Sequence, residues 1–188
     1  CTPERLARHV GLFPDVDGDK YQQVGDKLAK EFDDLYVGLV DSNTAGFFKG
    51  IQDMLDAIPS SNGSGSAKLG VLTNAAVAYA HAVLKANNVH DRFLSIHGAD
   101  DVPKPKPSPE GLLLCCKDLE LKPDECIYIG DSPSDGEAAK AAGMPSIGVT
   151  WGSHSEESLK NAPFGEYCST PEALTSSLLS KLGIMQSV

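Results

Sequence analysis

Two kinds of hydrophobic spacing divide the chain, and the change falls near residue 68. Before it, apolar positions recur every three or four residues. Residues 3–10 predict a short helix, and 20–40 a longer one with Val24, Leu28, Phe32, Leu35 and Leu39 in register. A further helix is predicted over about 50–58, with Ile51, Met54, Leu55 and Ile58 on one face. The stretch PSSNGSGSA, residues 59–67, reads as a Gly/Ser loop without packing content.

From Lys68 short apolar runs alternate with helical ones. KLGVLTN predicts a buried strand, 75–87 an Ala-rich helix, and FLSIHG a second strand. Residues 108–118 predict a helix, CIYIGD a strand, 134–142 a helix closed by Gly143, and PSIGVTWG another strand. Strands and helices in alternation, with short connections, predict an α/β fold: a Rossmann-like parallel sheet with helices on both faces. No internal repeat is visible.

Composition narrows the functions open to such a fold. With 188 residues, 41% hydrophobic and 22% charged, the chain has the balance of a soluble globular domain with at most a small appendage. No apolar run is long enough for a membrane span. The formal net charge of −10 argues against a nucleic-acid partner, which calls for a basic face. The five cysteines, Cys1, Cys115, Cys116, Cys126 and Cys168, form no Cys-x-x-Cys pair and are odd in number. They read as buried free thiols in a reducing compartment, cytoplasm or organelle interior. The first residue is Cys rather than Met, which fits a removed leader or a fragment.

In a parallel α/β sheet, ligands sit beyond the carboxyl ends of the strands, so polar residues that follow apolar strands are the ones to collect. Thr73 and Asn74 follow one strand. Asp131 and Ser132 follow another, with Asp135 at the start of the next helix. Between them lies KPKPSPEG, which carries Lys104 and Lys106. Singly, each has an ordinary structural role: Thr as a helix cap, Asp at the positive end of a helix dipole, Lys as a solvated loop charge. Together, a hydroxyl, a cation and two carboxylates on successive strand ends make a site for a phosphoryl group and a hard divalent ion such as Mg²⁺.

These segments resemble the motifs of the haloacid dehalogenase-like (HAD) hydrolases, most closely the phosphoglycolate phosphatase-like branch. LGVLTN is similar to the second motif, KPSPEGLLL to the third, and IYIGDSPSDGEAAKAAGMPSIGVTWG to the fourth and the strand after it. The resemblance runs from about Phe47 to Leu179, and VTWGSHS at 149–155 favours the same branch. It implies that Thr73 hydrogen-bonds the transferring phosphoryl group with help from Asn74, and that Lys106 neutralises its charge. It further implies that Asp131 binds Mg²⁺ directly and that Asp135 holds it directly or through water. The substrate implied is a small phosphorylated metabolite.

The first motif of the family, Asp-x-Asp-Gly-Thr at the end of a buried strand, supplies the nucleophile and the general acid–base. PDVDGDK, residues 14–20, has the core of it in Asp15, Asp17 and Gly18. Against that role, Asp19 stands where Thr belongs, HVGLF upstream is a poor strand, and Pro14 would interrupt a central ladder. An EF-hand loop fails as well, since its sixth position is Lys20 rather than Gly. The favoured reading makes residues 1–46 the latter part of an α-helical cap, with 14–20 as a loop of it, and 47–188 the α/β core. The first-motif strand then comes from outside these residues. In the family that strand lies between the Thr73 and Asp131 strands, so a missing N-terminal segment or a partner chain is expected to complete the sheet. Two further readings stay open: a catalytically incomplete subunit serving binding or assembly, and a sugar phosphomutase of the same family.

Overall fold

The computed structural model describes residues 3–59 and 67–183. Most of the Gly/Ser loop and Cys1 lie outside the described residues. The elements in chain order are α1 (Pro3–His9), α2 (Pro14–Gly38), α3 (Ile51–Ala57), β1 (Leu69–Leu72), α4 (Val77–Ala86), β2 (Phe93–His97) and α5 (Glu110–Leu119). They continue with β3 (Tyr128–Gly130), α6 (Pro133–Ala142), β4 (Ser146–Val149), α7 (Glu156–Lys160), β5 (Glu166–Cys168) and α8 (Pro171–Lys181).

All strand pairs are parallel, and they form two separate pieces. β1 pairs with β2, and β4 lies between β3 and β5. Among the described residues no strand joins β1 to β3. An apolar groove of about 600 Å³ runs along this seam, walled by Gly70 and Leu72 from one half and Tyr128 and Ile129 from the other. Helices cover both faces. On one, Met54, Leu55, Leu84, Leu174 and Leu178 pack with Ile147 and Val149. On the other, Leu112, Cys115 and Cys116 of α5 meet Ala138 and Ala139 of α6. Fully buried Ile147, Leu159 and Leu174 each contribute about 1.5–3 kcal/mol by leaving water.

Two expectations need correction. Residues 14–20 are not a loop but the first turns of α2, which begins six residues earlier than its apolar spacing suggests. Pro14 sits in the first turn, where its missing N–H costs nothing, and Asp15 and Asp17 face the positive helix end. The Asp17 carboxylate also accepts the Phe13 N–H at 2.8 Å. The turn chemistry of Gly18 survives as a kink inside the helix, with φ 48° and ψ −123°. The strand read at 145–152 is shorter than expected, ending at Val149. Residues 150–154 leave the sheet as a loop, and that loop matters below.

The chain beyond β4 carries α7, β5 and α8, elements absent from the sequence reading. Ser155 caps α7 by accepting the Ser158 N–H at 3.2 Å, and Thr170 caps α8 by accepting the Ala173 N–H at 3.2 Å. α1 and α2 form a hairpin joined to the core near α4, where Tyr36 and Tyr79 rings lie 5.0 Å apart and the Asn87 amide donates to the Ala45 carbonyl. No helix among the described residues is long and apolar enough to cross a membrane.

Candidate active site

The carboxyl ends of β1 and β3 face each other across the seam, and side chains bridge them there. The Lys106 ammonium spends all three protons at this point. It donates to Asp135 Oδ1 at 2.7 Å, to the Tyr128 hydroxyl at 2.9 Å and to the Leu72 carbonyl at 3.1 Å. The Lys106 and Asp135 side chains are only 9% and 5% exposed, so this is a buried, charge-assisted pair. Lys104, by contrast, is turned out, its ammonium 3.7 Å from Glu110.

Asp135 is the hub. Its Oδ2 accepts the N–H groups of Asp131 (3.1 Å) and Ser132 (3.0 Å) and the Ser132 hydroxyl (2.9 Å), while Oδ1 meets Lys106 and Tyr128. Gly130 permits this fold-back, since a Cβ there would lie 2.3 Å from that of Asp135. Burial works against the Asp135 charge, but Lys106 and the Ser132 donors outweigh it and hold the carboxyl below its ordinary range. Burial and the Asp135 charge push the Tyr128 hydroxyl well above its usual range, so it stays protonated. Its proton is shared between Asp135 Oδ1 at 3.1 Å and the Leu72 carbonyl at 3.3 Å.

Asn74 is committed to positioning. Its amide exchanges two hydrogen bonds with the Lys106 backbone, accepting the N–H at 3.0 Å and donating to the carbonyl at 3.1 Å. Thr73 accepts the Ala75 N–H at 3.0 Å, and its own hydroxyl proton has no acceptor among the described residues. Asp131 Oδ2 accepts both the N–H (2.7 Å) and the hydroxyl (2.8 Å) of Ser153, whereas Oδ1 has no hydrogen bond among the described residues. Asp15 lies on exposed α2, and no hydrogen bond or ion pair links it to Thr73, Lys106 or Asp131 among the described residues.

Thr73, Asn74, Lys106 and Asp131 thus stand on the loops that follow β1, β2 and β3, and Asp135 on the first turn of α6, all at the carboxyl edge of the sheet. Sequence reasoning missed Tyr128 and Ser153. Tyr128 carried a signal: a phenol inside the apolar run CIYIGD must find a buried partner for its hydroxyl. Ser153 carried none, because only the course of the loop after β4 brings it over Asp131.

Comparison with known proteins shows the family. The family profile of the haloacid dehalogenase-like hydrolases matches residues 2–149, and the chain belongs to that family. A phosphoglycolate phosphatase of Salmonella choleraesuis is 35% identical over 139 residues, 74% of this chain and 54% of that protein. A phosphoglycolate phosphatase of Escherichia coli is 32% identical over the same length. The chain therefore spans about half the length of these relatives. Among solved structures, a β-phosphoglucomutase of Clostridium difficile superposes with a TM-score of 0.68 at 22% identity, covering 95% of this chain and 86% of that one. At that identity the likeness speaks for the fold alone.

Proposed function

We propose that this chain carries the greater part of the active site of a Mg²⁺-dependent phosphatase acting on a small phosphate monoester of the phosphoglycolate class. The carrying observation is the seam. A buried lysine, a threonine hydroxyl proton and a carboxylate oxygen, the last two without partners among the described residues, stand where two half-sheets leave room for a strand. That strand, apolar and ending in an aspartate, comes from a segment preceding these residues or from a partner chain. Lying parallel between β1 and β3, it satisfies both open ladders and delivers its carboxylate beside Lys106.

The geometry supports the following roles. Thr73 donates its hydroxyl proton to a non-bridging phosphoryl oxygen. Lys106, fixed by Asn74 through its backbone and by Asp135 through its ammonium, holds positive charge where negative charge gathers in the transition state. The incoming aspartate attacks phosphorus as the ester P–O bond breaks, and the departing oxygen takes a proton from the second carboxyl of that Asp-x-Asp strand, leaving as the alcohol. The same carboxylate then takes a proton from water as it attacks the aspartyl-phosphate, releasing phosphate and the free nucleophile carboxylate. The residues present fit a hard cation with few protein ligands: Asp131 Oδ1 is open, and carboxylate oxygen is the donor that Mg²⁺ prefers. When bound, Mg²⁺ supplies charge stabilisation at the phosphoryl oxygens. Both oxygens of Asp135 are occupied within the chain, so its part in holding the ion runs through water or through the 131–132 backbone it organises.

The test is phosphate release by the complete protein with Mg²⁺ across a panel of phosphomonoesters including phosphoglycolate. Turnover is expected, and Asp131→Ala is expected to abolish it while leaving the unfolding midpoint in place. A complete, folded protein without turnover on any member refutes the reading and leaves binding or assembly as its role.

A further inference from the structure

The loop after β4 does something to Asp131 that the proposed chemistry does not require. Two donors from one residue, the N–H and the hydroxyl of Ser153, converge on the same carboxylate oxygen at 2.7 and 2.8 Å. The neighbouring Gly152 lets the loop lie directly on the carboxylate: a Cβ there would fall 2.2 Å from Asp131 Oδ2. Behind Ser153 stands His154, its Nδ1 3.2 Å from the Ser153 hydroxyl oxygen. Since that hydroxyl gives its proton to Asp131, the His154 contact must run the other way, from Nδ1–H to oxygen. The result is a chain of donors ending on Oδ2, with Oδ1 free of hydrogen bonds among the described residues.

We infer that Ser153 is a positioning residue that makes Asp131 a one-oxygen ligand and thereby sets the site's preference for Mg²⁺ over Ca²⁺. This rests on Asp131 being the cation ligand proposed above. Mg²⁺ demands six short, octahedral contacts and takes carboxylates by one oxygen; Ca²⁺ is larger, accepts more ligands and readily takes both oxygens of one carboxylate. A carboxylate whose second oxygen is occupied by two fixed hydrogen bonds cannot turn to chelate the larger ion. Orientation of a ligand by its outer partners is worth about 10–100-fold in metal affinity in general. Ser153→Ala removes one of the two donors and retains the N–H, which places its effect at the lower end.

The experiment is calorimetric titration of the purified protein with Mg²⁺ and, separately, Ca²⁺. Ser153→Ala is expected to weaken Mg²⁺ binding about tenfold with Ca²⁺ binding unchanged or tighter, so that the Mg²⁺/Ca²⁺ ratio falls by about tenfold or more. Ser153→Thr, which keeps the hydroxyl, is expected to restore the ratio. If Ser153→Ala binds both ions as the unaltered protein does, or if folded Ser153→Thr loses as much as Ser153→Ala, the inference is overturned. Asp131→Asn separates the two levels. If it binds Mg²⁺ undiminished, the cation site itself is wrong; if it loses Mg²⁺ while Ser153→Ala does not, only the role of Ser153 falls.

Discussion

Replacing Lys106 by Met tests the seam directly. The substitution keeps the length and apolar stem of the side chain and removes its charge and three donors. Asp135 would keep its Oδ2 contacts, but Oδ1 would retain only the Tyr128 hydroxyl in a side chain 5% exposed. Removing one partner of a buried ion pair costs about 3–5 kcal/mol, because the other charge is left without compensation. With a urea m-value of roughly 2–3 kcal/mol/M for a chain of this size, the unfolding midpoint should fall by about 1–2.5 M at pH 7. The pH dependence adds a second check. In the unaltered protein the Asp135 carboxyl titrates below its ordinary value of 3.8, so its contribution is present above that pH and is lost as pH falls through the lowered value. Without Lys106 the strongest influences that offset burial are lost, only the Ser132 donors remain, and that contribution shrinks. The gap between the two proteins should therefore narrow as the pH drops below about 4. A midpoint shift under about 0.3 M, unchanged between pH 3.5 and 7, would show that the pair adds nothing net to stability.

Two further outcomes follow from groups outside the proposed chemistry. The His97 ring lies between two carboxylates, Nδ1 2.9 Å from Asp101 and Nε2 2.7 Å from Asp118, and when protonated it donates to both, tying the end of β2 to α5. Partial burial disfavours its charge, but the hydrogen bonds and charges of Asp118 and Asp101 prevail and lift its pKa above the ordinary 6.5. The stability it adds is complete below that value and lost as pH rises through the lifted one, so the Tm advantage over His97→Gln should shrink between pH 5.5 and 9; a constant difference rules this out. Cys116 and Cys126 lie 3.9 Å apart with thiols pushed up by burial, Cys126 to about 12. An aromatic disulfide reagent at pH 8 should label them about tenfold or more slowly in the native state than after denaturation, and equal rates would contradict their burial.

What could be read in the sequence was what local chemistry decides. Buried strands with a polar residue at the carboxyl end showed where Thr73 and Asp131 would stand, since strand length and alternation need only neighbours. Gly143 closes α6 with φ +69°, as its place after an Ala-rich run suggested. The start of α2 was missed because Gly18 and three aspartates look like a turn, although Pro14 with acidic residues after it is also a helix start. α8 had its own start signal in Thr170-Pro171-Glu172. Contacts across long separations were not legible. Asn74 joins the Lys106 backbone 32 residues on, and Ser153 closes on Asp131 from 22 residues away. The spacing of residue types does not encode such meetings; the course of the sheet does.

The concentration of bonds on Asp135 has a consequence for how this chain can change over generations. One carboxylate starts α6, anchors Lys106 and ties the two half-sheets, so losing it harms folding whether or not the protein turns anything over. A lineage that abandoned catalysis would still be obliged to keep Asp135 and Lys106. The hydroxyl proton of Thr73 and Oδ1 of Asp131 are under no such obligation, because neither has a hydrogen-bond partner among the described residues. The Thr73 oxygen and Asp131 Oδ2 serve the fold only through the Ala75 N–H and Ser153. Whether descendants retain those two groups is therefore the informative comparison, and the more obvious buried pair is mute on the question.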